Sequence, residues 1–203
     1  DGLADEALAL LRAEGVDLSG CAVHPAAPTG VALIAVAPDG ENQIVVASGA
    51  NMEARPPNLP LASQDALICQ LEIPLETVAR AVALAPGFVC LNLAPAAPVP
   101  ADILARADLV VVNETEAAFY GQALRAQPGL VAITWGARGA GLYRRGELIA
   151  SAAPPSVEAI DATGAGDAFV AALTLALLER RPPEAALAFA CAAGALAATR
   201  PGA

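Results

Sequence analysis

The chain of 203 residues has a formal net charge of −10, with 56% hydrophobic and only 3% aromatic residues. This length and apolar content suffice for a buried core and exclude an intrinsically disordered chain. The eleven basic residues are all arginines, scattered along an acidic chain. They form no positive stripe, so no nucleic-acid partner is expected. The alanine-rich run at residues 185–199 is shorter than the roughly 20 residues that span a bilayer, so it predicts a buried helix and no membrane partner.

The cysteines disfavour a metal site and suit a reducing compartment. They stand far apart, at Cys21, Cys69, Cys90 and Cys191. No C-x-x-C pair is present and the chain has a single histidine, so a zinc site is not expected. Isolated thiols in apolar surroundings are typical of reducing conditions, and we therefore expect a cytoplasmic protein.

The first part of the chain predicts a helix followed by a hairpin. Apolar residues recur at helical spacing from Leu3 to Ala13, and Gly15 provides a stop. Two β-rich runs follow, at residues 30–37 and 44–48. The polar segment 38–42 between them contains an Asp-Gly pair that suits a turn, so the two runs predict a β-hairpin.

After a proline-rich connection at residues 55–60, short apolar strands alternate with helices. The strands are predicted at residues 66–72, 88–92, 109–113 and 130–135, and the helices at 75–84, 101–106 and 114–120. A meander at 141–152 and two helices, at 164–178 and 182–199, complete the pattern. Continuous apolar strands between helices predict an α/β fold with a doubly wound, mostly parallel sheet covered on both faces.

Several residues that could contact a ligand lie at the carboxyl ends of the predicted strands. Ligands of doubly wound folds bind where the parallel strands end at their carboxyl side. The predicted strand ends place Glu72, Asn92, Asn113 and the pair Trp135-Gly136 on one rim of the sheet. We therefore expect the functional residues at this rim.

The strongest local signal is DATGAGD at residues 161–167, directly before an apolar helix. Glycines let backbone amides approach a ligand closely, and the N-terminus of a helix attracts anions. Asp167, in the first turn, could accept a proton from a substrate hydroxyl while the neighbouring amides hold the phosphoryl charge. An ordinary glycine-rich turn, with Asp167 stabilising the helix dipole, explains the same residues.

Two further motifs each have two explanations. NETE at residues 113–116 has the spacing of a capping box, which needs no ligand. At the rim of a nucleotide pocket, the same carboxylates would hold Mg²⁺ through water. TWGARG at residues 134–139 permits close backbone approach, but a tight turn between strands explains it equally well. No P-loop pattern is present, and no G-x-G-x-x-G follows the first strand.

In this order, the segments resemble the ribokinase branch of the ribokinase-like sugar kinase family over essentially the whole chain. The stretches that carry the resemblance are TGVALI (29–34), GENQ (40–43), SGAN (48–51), QLE (70–72), LNLAP (91–95), NETE (113–116), GARG (136–139), DATGAGD (161–167) and ATRPGA (198–203). The resemblance implies ATP-dependent phosphorylation of a sugar primary hydroxyl, foremost D-ribose to D-ribose 5-phosphate. A related deoxyribose, nucleoside or fructose kinase, or an inactive nucleotide-binding remnant, is the alternative.

The resemblance also implies roles for single residues. Asp167 matches the catalytic base, and Glu72 matches a carboxylate that contacts the sugar. Glu116 matches a residue that organises Mg²⁺ through water. The anion hole corresponds to the amides of Gly164, Ala165, Gly166 and Asp167. The positions implied to bind ATP are Asn113, Thr134, Trp135, Gly136, Ala137, Arg138, Gly139, Gly166, Asp167 and Cys191, the last where the family usually has Asn or His beside adenine.

The resemblance also implies a monovalent cation, and the predicted lid implies a partner chain. Asp161 and Thr163 match a loop that holds K⁺, together with the carbonyl groups of Ala197, Arg200 and Gly202. The family's first strands, with their sugar-gripping motifs, are absent from this sequence, as is the end of the cation loop. We therefore expect one kinase domain over residues 1–203, incomplete at both ends, with a partial lid hairpin at 29–48. The unpaired edges of that lid predict a homodimer through the lid.

Overall fold

The structure, a computed structural model, describes residues 1–36, 42–55 and 61–202. The chain divides into two compact units, Asp1–Pro60 with Glu72–Ala81, and Leu61–Leu71 with Val82–Ala203. The turn predicted for the hairpin lies, apart from Asn42, outside the described residues. Within the described ranges, no helix combines the length and the apolarity needed to cross a membrane.

The first unit contains the predicted helix and the predicted hairpin. Helix α1 spans Gly2–Ala13, and the antiparallel strands β1 and β2 span Val31–Val36 and Asn42–Ala47. The Asp1 carboxylate caps α1 by accepting a hydrogen bond from the Ala4 amide at 3.1 Å. Its second oxygen accepts one from the Thr29 amide at 3.0 Å. A single N-cap side chain therefore ties the helix to the segment that enters β1.

The apolar residues of this unit are largely exposed. No residue of α1 is buried, although its pattern is amphipathic. Leu33 and Val45 face each other across the ladder, and each is 67% exposed. The amphipathic pattern thus predicted the helix correctly, but its apolar stripe is not covered by the described residues.

The second unit is built on a six-stranded sheet whose spatial order follows the chain, β3 to β8. The strands are β3 (Ala66–Cys69), β4 (Phe88–Asn92), β5 (Leu109–Asn113), β6 (Leu130–Thr134), β7 (Ala140–Arg144) and β8 (Glu147–Ala152). β3 to β6 are parallel, whereas β7 and β8 are antiparallel additions. Because the parallel strands lie in close register, their carboxyl ends form one rim, and the predicted mostly parallel α/β sheet is confirmed.

The α-helices that follow the hairpin along the chain are α2 (Leu75–Leu84), α3 (Ala101–Arg106), α4 (Glu114–Tyr120), α5 (Gln122–Arg125), α6 (Ala165–Leu178) and α7 (Pro183–Ala197). Helices of the second unit lie on both faces of its sheet. On one face, α6 and α7 share a buried core with the sheet, in which Leu173 and Leu187 are fully buried. Side chains of a strand alternate between faces, so Val110 and Val112 lie on the opposite face, where α4 packs on β5 and β6.

Several elements differ from the sequence prediction. The strand predicted to reach residue 72 ends at Cys69, because the Leu71 amide donates to the Ala94 carbonyl at 2.9 Å, beyond the end of β4. Glu72 therefore lies in an exposed bend and not at a strand end. Helix α5 was not predicted, and α7 ends at Ala197, two residues earlier than expected.

Candidate active site

The turn before α6 presents unengaged backbone amides at the N-terminus of a 14-residue helix. Gly164 has a φ of 74°, a left-handed conformation that glycine adopts without strain. The Ala165 amide donates to the Ala162 carbonyl at 3.1 Å. Within the described residues, the amides of Gly164, Gly166 and Asp167 have no acceptor. These three amides are therefore free to act as the predicted anion donors, whereas the Ala165 amide, also expected there, is used within the turn.

Asp167 is the third residue of α6, and its side chain is exposed. Its Oδ1 accepts a hydrogen bond from Gln70 Nε2 at 2.7 Å. No donor among the described residues reaches its Oδ2. Asp167 stands out in the sequence as part of DATGAGD, whereas Gln70 is only the first residue of the QLE motif. Nothing in the sequence indicated their contact, because 97 positions separate the two residues.

Asn113 and Glu116 form the predicted capping box at the start of α4. The Glu116 amide donates to Asn113 Oδ1 at 2.9 Å, and the Asn113 amide donates to Glu116 Oε2 at 2.7 Å. The Glu116 side chain is buried, which raises the pKa of its carboxyl, and the hydrogen bond from the Asn113 amide opposes this rise. The local explanation of NETE is confirmed, and one carboxylate oxygen of Glu116, Oε1, stays without a donor among the described residues.

The segment 134–139 forms a tight turn between β6 and β7. The Trp135 amide donates to the Gly139 carbonyl at 2.8 Å, and the Gly139 amide donates to the Gly136 carbonyl at 3.0 Å. Gly139 has a φ of 94°, and a Cβ atom there would lie 2.1 Å from the Ala152 carbonyl oxygen. Only glycine therefore fits this position. The tight turn proposed from the sequence is present, and it lies on the predicted rim.

An ion pair joins two of the rim segments. The Arg138 guanidinium donates to the Glu114 carboxylate, so the turn after β6 is tied to the first residue of α4. Both side chains are more than half exposed, with 69% and 54% of their surfaces accessible. Exposed pairs contribute little stability, so Arg138 could leave Glu114 at small cost if an anion approached.

Cys191 lies on α7 beneath the same turn. Its side chain is buried, and its thiol lies 3.6 Å from the Ala152 carbonyl oxygen, the atom that also faces Gly139. Burial raises the pKa of this thiol. The structure thus brings Cys191 close to the segment with which the resemblance associates it.

The loop at residues 160–163 is tied to the end of α7. Asp161 accepts three hydrogen bonds, from the Thr163 amide at 2.9 Å, the Thr163 hydroxyl at 2.7 Å and the Gly202 amide at 2.9 Å. These bonds, the Thr163 hydroxyl first, lower the pKa of the Asp161 carboxyl. The Ile160 and Asp161 amides donate to the Ala198 carbonyl at 2.8 and 3.2 Å. The Asp161 carboxylate therefore organises the loop directly before the glycine turn that begins α6.

The oxygen atoms that the resemblance assigns to a cation at this loop suit a monovalent ion better than a divalent one. They comprise one carboxylate, that of Asp161, together with the Thr163 hydroxyl and the carbonyls of residues 197, 200 and 202. Across the described ranges, no group of three or more His, Cys, Asp or Glu side chains is placed to hold a metal ion. Backbone carbonyls are the ligands that replace the hydration shell of K⁺ in proteins. The chemistry of this donor set is thus compatible with the predicted K⁺.

Glu72, in the first unit, stays a predicted sugar contact.

The whole of this chain, residues 1–203, matches the model of the pfkB family of carbohydrate kinases. This chain belongs to that family. It is 36% identical to the ribokinase of Haemophilus influenzae over 94% of this chain and 69% of that protein. It is 29% identical to a deoxyribokinase of Salmonella typhi over 92% of this chain and 69% of that protein.

Solved structures agree with the family. A ribokinase of Thermotoga maritima superposes with a TM-score of 0.84 and 30% identity over all of this chain and 73% of that one. The Arabidopsis thaliana ribokinase, solved with ribose and ATP, gives a TM-score of 0.74 and 28% identity over 96% of this chain and 73% of that one. The predicted ribokinase-like fold is confirmed, and the chain is shorter than these relatives.

One glycine, Gly194, permits α7 to lie close against the start of α6. A Cβ atom at Gly194 would lie 2.9 Å from the carbonyl oxygen of Ala165, the first residue of α6. By contrast, a Cβ atom at Gly166 would meet nothing within 4 Å. The two positions offer a matched pair of glycines inside helices.

We expect Gly194→Ala to lower the free energy of unfolding by about 1–3 kcal/mol, because the methyl group forces the two helices apart. Gly166→Ala is the control, since the gain in helix propensity is the same but the methyl group has room. Thermal and denaturant unfolding of the three proteins measure the difference. Equal stability of Gly194→Ala and the wild type would contradict the close packing.

Proposed function

We propose that this chain transfers the γ-phosphoryl group of ATP to the primary hydroxyl of a sugar, with D-ribose as the foremost acceptor. The observation that carries the proposal is the start of α6. There, a carboxylate with one unengaged oxygen, Asp167 Oδ2, adjoins three amides without an acceptor. A base for a hydroxyl and donors for a phosphoryl group are the two requirements of this transfer.

The transfer follows from these groups. Asp167 Oδ2 accepts the proton of the sugar hydroxyl while the hydroxyl oxygen forms a bond to the γ-phosphorus of ATP. The bond between this phosphorus and the oxygen bridging to the β-phosphate breaks, and ADP leaves with the electron pair of that bond. The amides of Gly164, Gly166 and Asp167 donate to the phosphoryl oxygens as their charge redistributes, and the dipole of α6 adds to their effect.

Two cations would complete the site. Glu116, through its oxygen outside the capping box, would hold Mg²⁺ by way of water, in keeping with the strong hydration of this ion. Asp161 and Thr163, with the carbonyls of Ala197, Arg200 and Gly202, would hold K⁺. Bound there, Mg²⁺ would neutralise phosphate charge, and K⁺ would keep the loop before the glycine turn ordered. The hydrogen bonds of Asp161 already constrain that loop.

The nucleotide would lie along the rim beyond the strand ends. We infer that Asn113 contacts the phosphates and that the turn Thr134–Gly139 follows the nucleotide through its backbone. Arg138 can exchange Glu114 for a phosphate, because the ion pair is exposed. Cys191 would flank the adenine from below the turn. With its thiol buried, it offers van der Waals contact where Asn or His would donate a hydrogen bond.

Ribose is favoured by the relatives, and deoxyribose is the second candidate. Three of the relatives are named ribokinases, one of them solved with ribose and ATP, whereas a deoxyribokinase matches at 29% identity. We propose Glu72 as a sugar contact. Its carboxylate would accept hydrogen bonds from sugar hydroxyl groups. A nucleoside or fructose kinase, and a protein that binds ATP without transfer, are the further alternatives.

A coupled ADP-release assay over a sugar panel, with and without K⁺, tests the function. We expect sugar-dependent ADP formation with D-ribose above 2-deoxyribose, nucleosides and fructose, and a higher rate in K⁺ than in its absence. Calorimetric titration with ATP runs in parallel. ATP binding without sugar-dependent ADP release would support the inactive alternative and contradict the proposed transfer.

Asp167→Ala tests the proposed base. We expect it to abolish phosphorylation and to leave the dissociation constant for ATP largely unchanged, because alanine keeps the backbone amide that would contact the phosphoryl group and removes only the carboxylate. Asp102→Ala, on the exposed start of α3, serves as the control and should retain the wild-type rate. Full activity of Asp167→Ala would rule out the base.

We also propose a homodimer through the lid hairpin. β1 and β2 pair with each other alone in the described part of the chain, and Leu33, Val45 and Val46 are 57–67% exposed. Analytical ultracentrifugation should show a dimer, and Val45→Lys should weaken it by placing a charge on the apolar face. Leu10→Lys, at the exposed surface of α1, is the control. A wild-type monomer at high concentration would contradict the proposal.

A further inference from the structure

Gln70 holds a defined position directly beyond the edge strand of the six-stranded sheet. The residue before it, Cys69, ends β3 and pairs with Leu91 of β4. The residue after it, Leu71, donates its amide to the Ala94 carbonyl at 2.9 Å. The backbone of Gln70 is therefore anchored on both sides, which directs its half-buried side chain to one place at the rim of the sheet.

That side chain reaches Asp167. Its Nε2 lies 2.7 Å from Oδ1 of the carboxylate, and Oδ2 accepts no hydrogen bond from any described residue. A hydrogen bond to an ionised group is shorter and stronger than one between neutral groups. The bond thus limits rotation of the carboxylate, occupies one oxygen and leaves the other for a substrate proton.

We propose that Gln70 is a positioning residue for phosphoryl transfer, which orients the Asp167 carboxylate so that Oδ2 faces the sugar hydroxyl. This inference rests on the proposed function of Asp167 as the base. A neutral amide suits the task, because it donates to the carboxylate without supplying a charge that would hold a proton away from it. Gln70 itself touches neither sugar nor nucleotide in this role.

Two substitutions of nearly equal size separate orientation from packing. Gln70→Met fills a similar volume but donates no hydrogen bond. Gln70→Glu keeps the shape, but its ionised form only accepts hydrogen bonds and repels Asp167. Gln122→Met, on the exposed helix α5, is the control for exchanging a glutamine for a methionine.

The measurements are kcat, the KM values for sugar and ATP, the ATP dissociation constant and the melting temperature. We expect Gln70→Met to lower kcat about 10–100-fold, the range that a hydrogen bond to a charged group supports. The KM for ATP should change less than about twofold, since this contact does not involve the nucleotide. Gln70→Glu should lower kcat further, and Gln122→Met should match the wild type.

Several results would overturn the inference. An unchanged kcat in Gln70→Met would do so, and so would a raised sugar KM at unchanged kcat, which would make Gln70 a substrate contact. If Gln70→Met does not fold, the side-chain amide signal of Gln70 in nuclear magnetic resonance decides. This signal should shift in Asp167→Ala, and its constancy would exclude the contact.

The same experiments distinguish the positioning role of Gln70 from the proposed phosphoryl transfer. A wild-type chain without sugar-dependent ADP release overturns both. An active wild type, an inactive Asp167→Ala and a fully active Gln70→Met would leave the proposed base in place and overturn the positioning role alone. An active Asp167→Ala would remove the base and with it any need to orient it.

Discussion

The packing of α6 and α7 across one face of the sheet is the constraint on which the candidate site depends. Phe169 and Leu173 of α6 are buried in the same core as Leu187 and Ala190 of α7. Gly194 permits α7 to lie against the first residue of α6. Because this packing determines where α6 begins, it also determines where the amides of the preceding turn and the Asp167 carboxylate lie. The remaining residues of the candidate site lie at the rim of the sheet, where they end or directly follow parallel strands.

The electrostatics of this site differ from those of a site built on basic side chains. The chain has a net charge of −10 and no lysine, so the field of the whole protein does not attract a polyphosphate. Arg138 is the cation of the Thr134–Gly139 turn, and it is paired with Glu114. The donors that remain for an anion are backbone amides, which carry no net charge and are held by the fold. Such donors act at short range, so in the proposed transfer they would stabilise a phosphoryl group that is already in place. Because such donors depend on their position, the geometry of the turn determines whether the amides can reach the phosphoryl oxygens.

The features that the sequence predicted well are those in which the determining residues are neighbours. Alternation of apolar strands and helices predicted a mostly parallel sheet, and the capping box followed from Asn113 and Glu116, three positions apart. The errors arose where the partner of a backbone group depends on tertiary contacts or on the exact conformation of a turn. The strand at residue 66 was predicted too long because the sequence does not reveal that the Leu71 amide is taken by the Ala94 carbonyl. The use of the Ala165 amide within its own turn also depends on a backbone conformation that composition does not specify.

By itself, then, the sequence determined the class of the fold, the order of its elements and the residue types that chemistry needs, because these depend on local periodicity and short motifs. It pointed to Asp167, to the glycine turn before it and to the rim residues of β5 and β6. The tertiary structure alone decided which amides stay free and which carboxylate oxygen is engaged. It also made Gln70 the partner of Asp167, across 97 positions of sequence. Those features require two chain segments to meet at hydrogen-bond distance. The contact between such segments is determined by how the helices pack on the sheet. No single segment of the sequence specifies this packing.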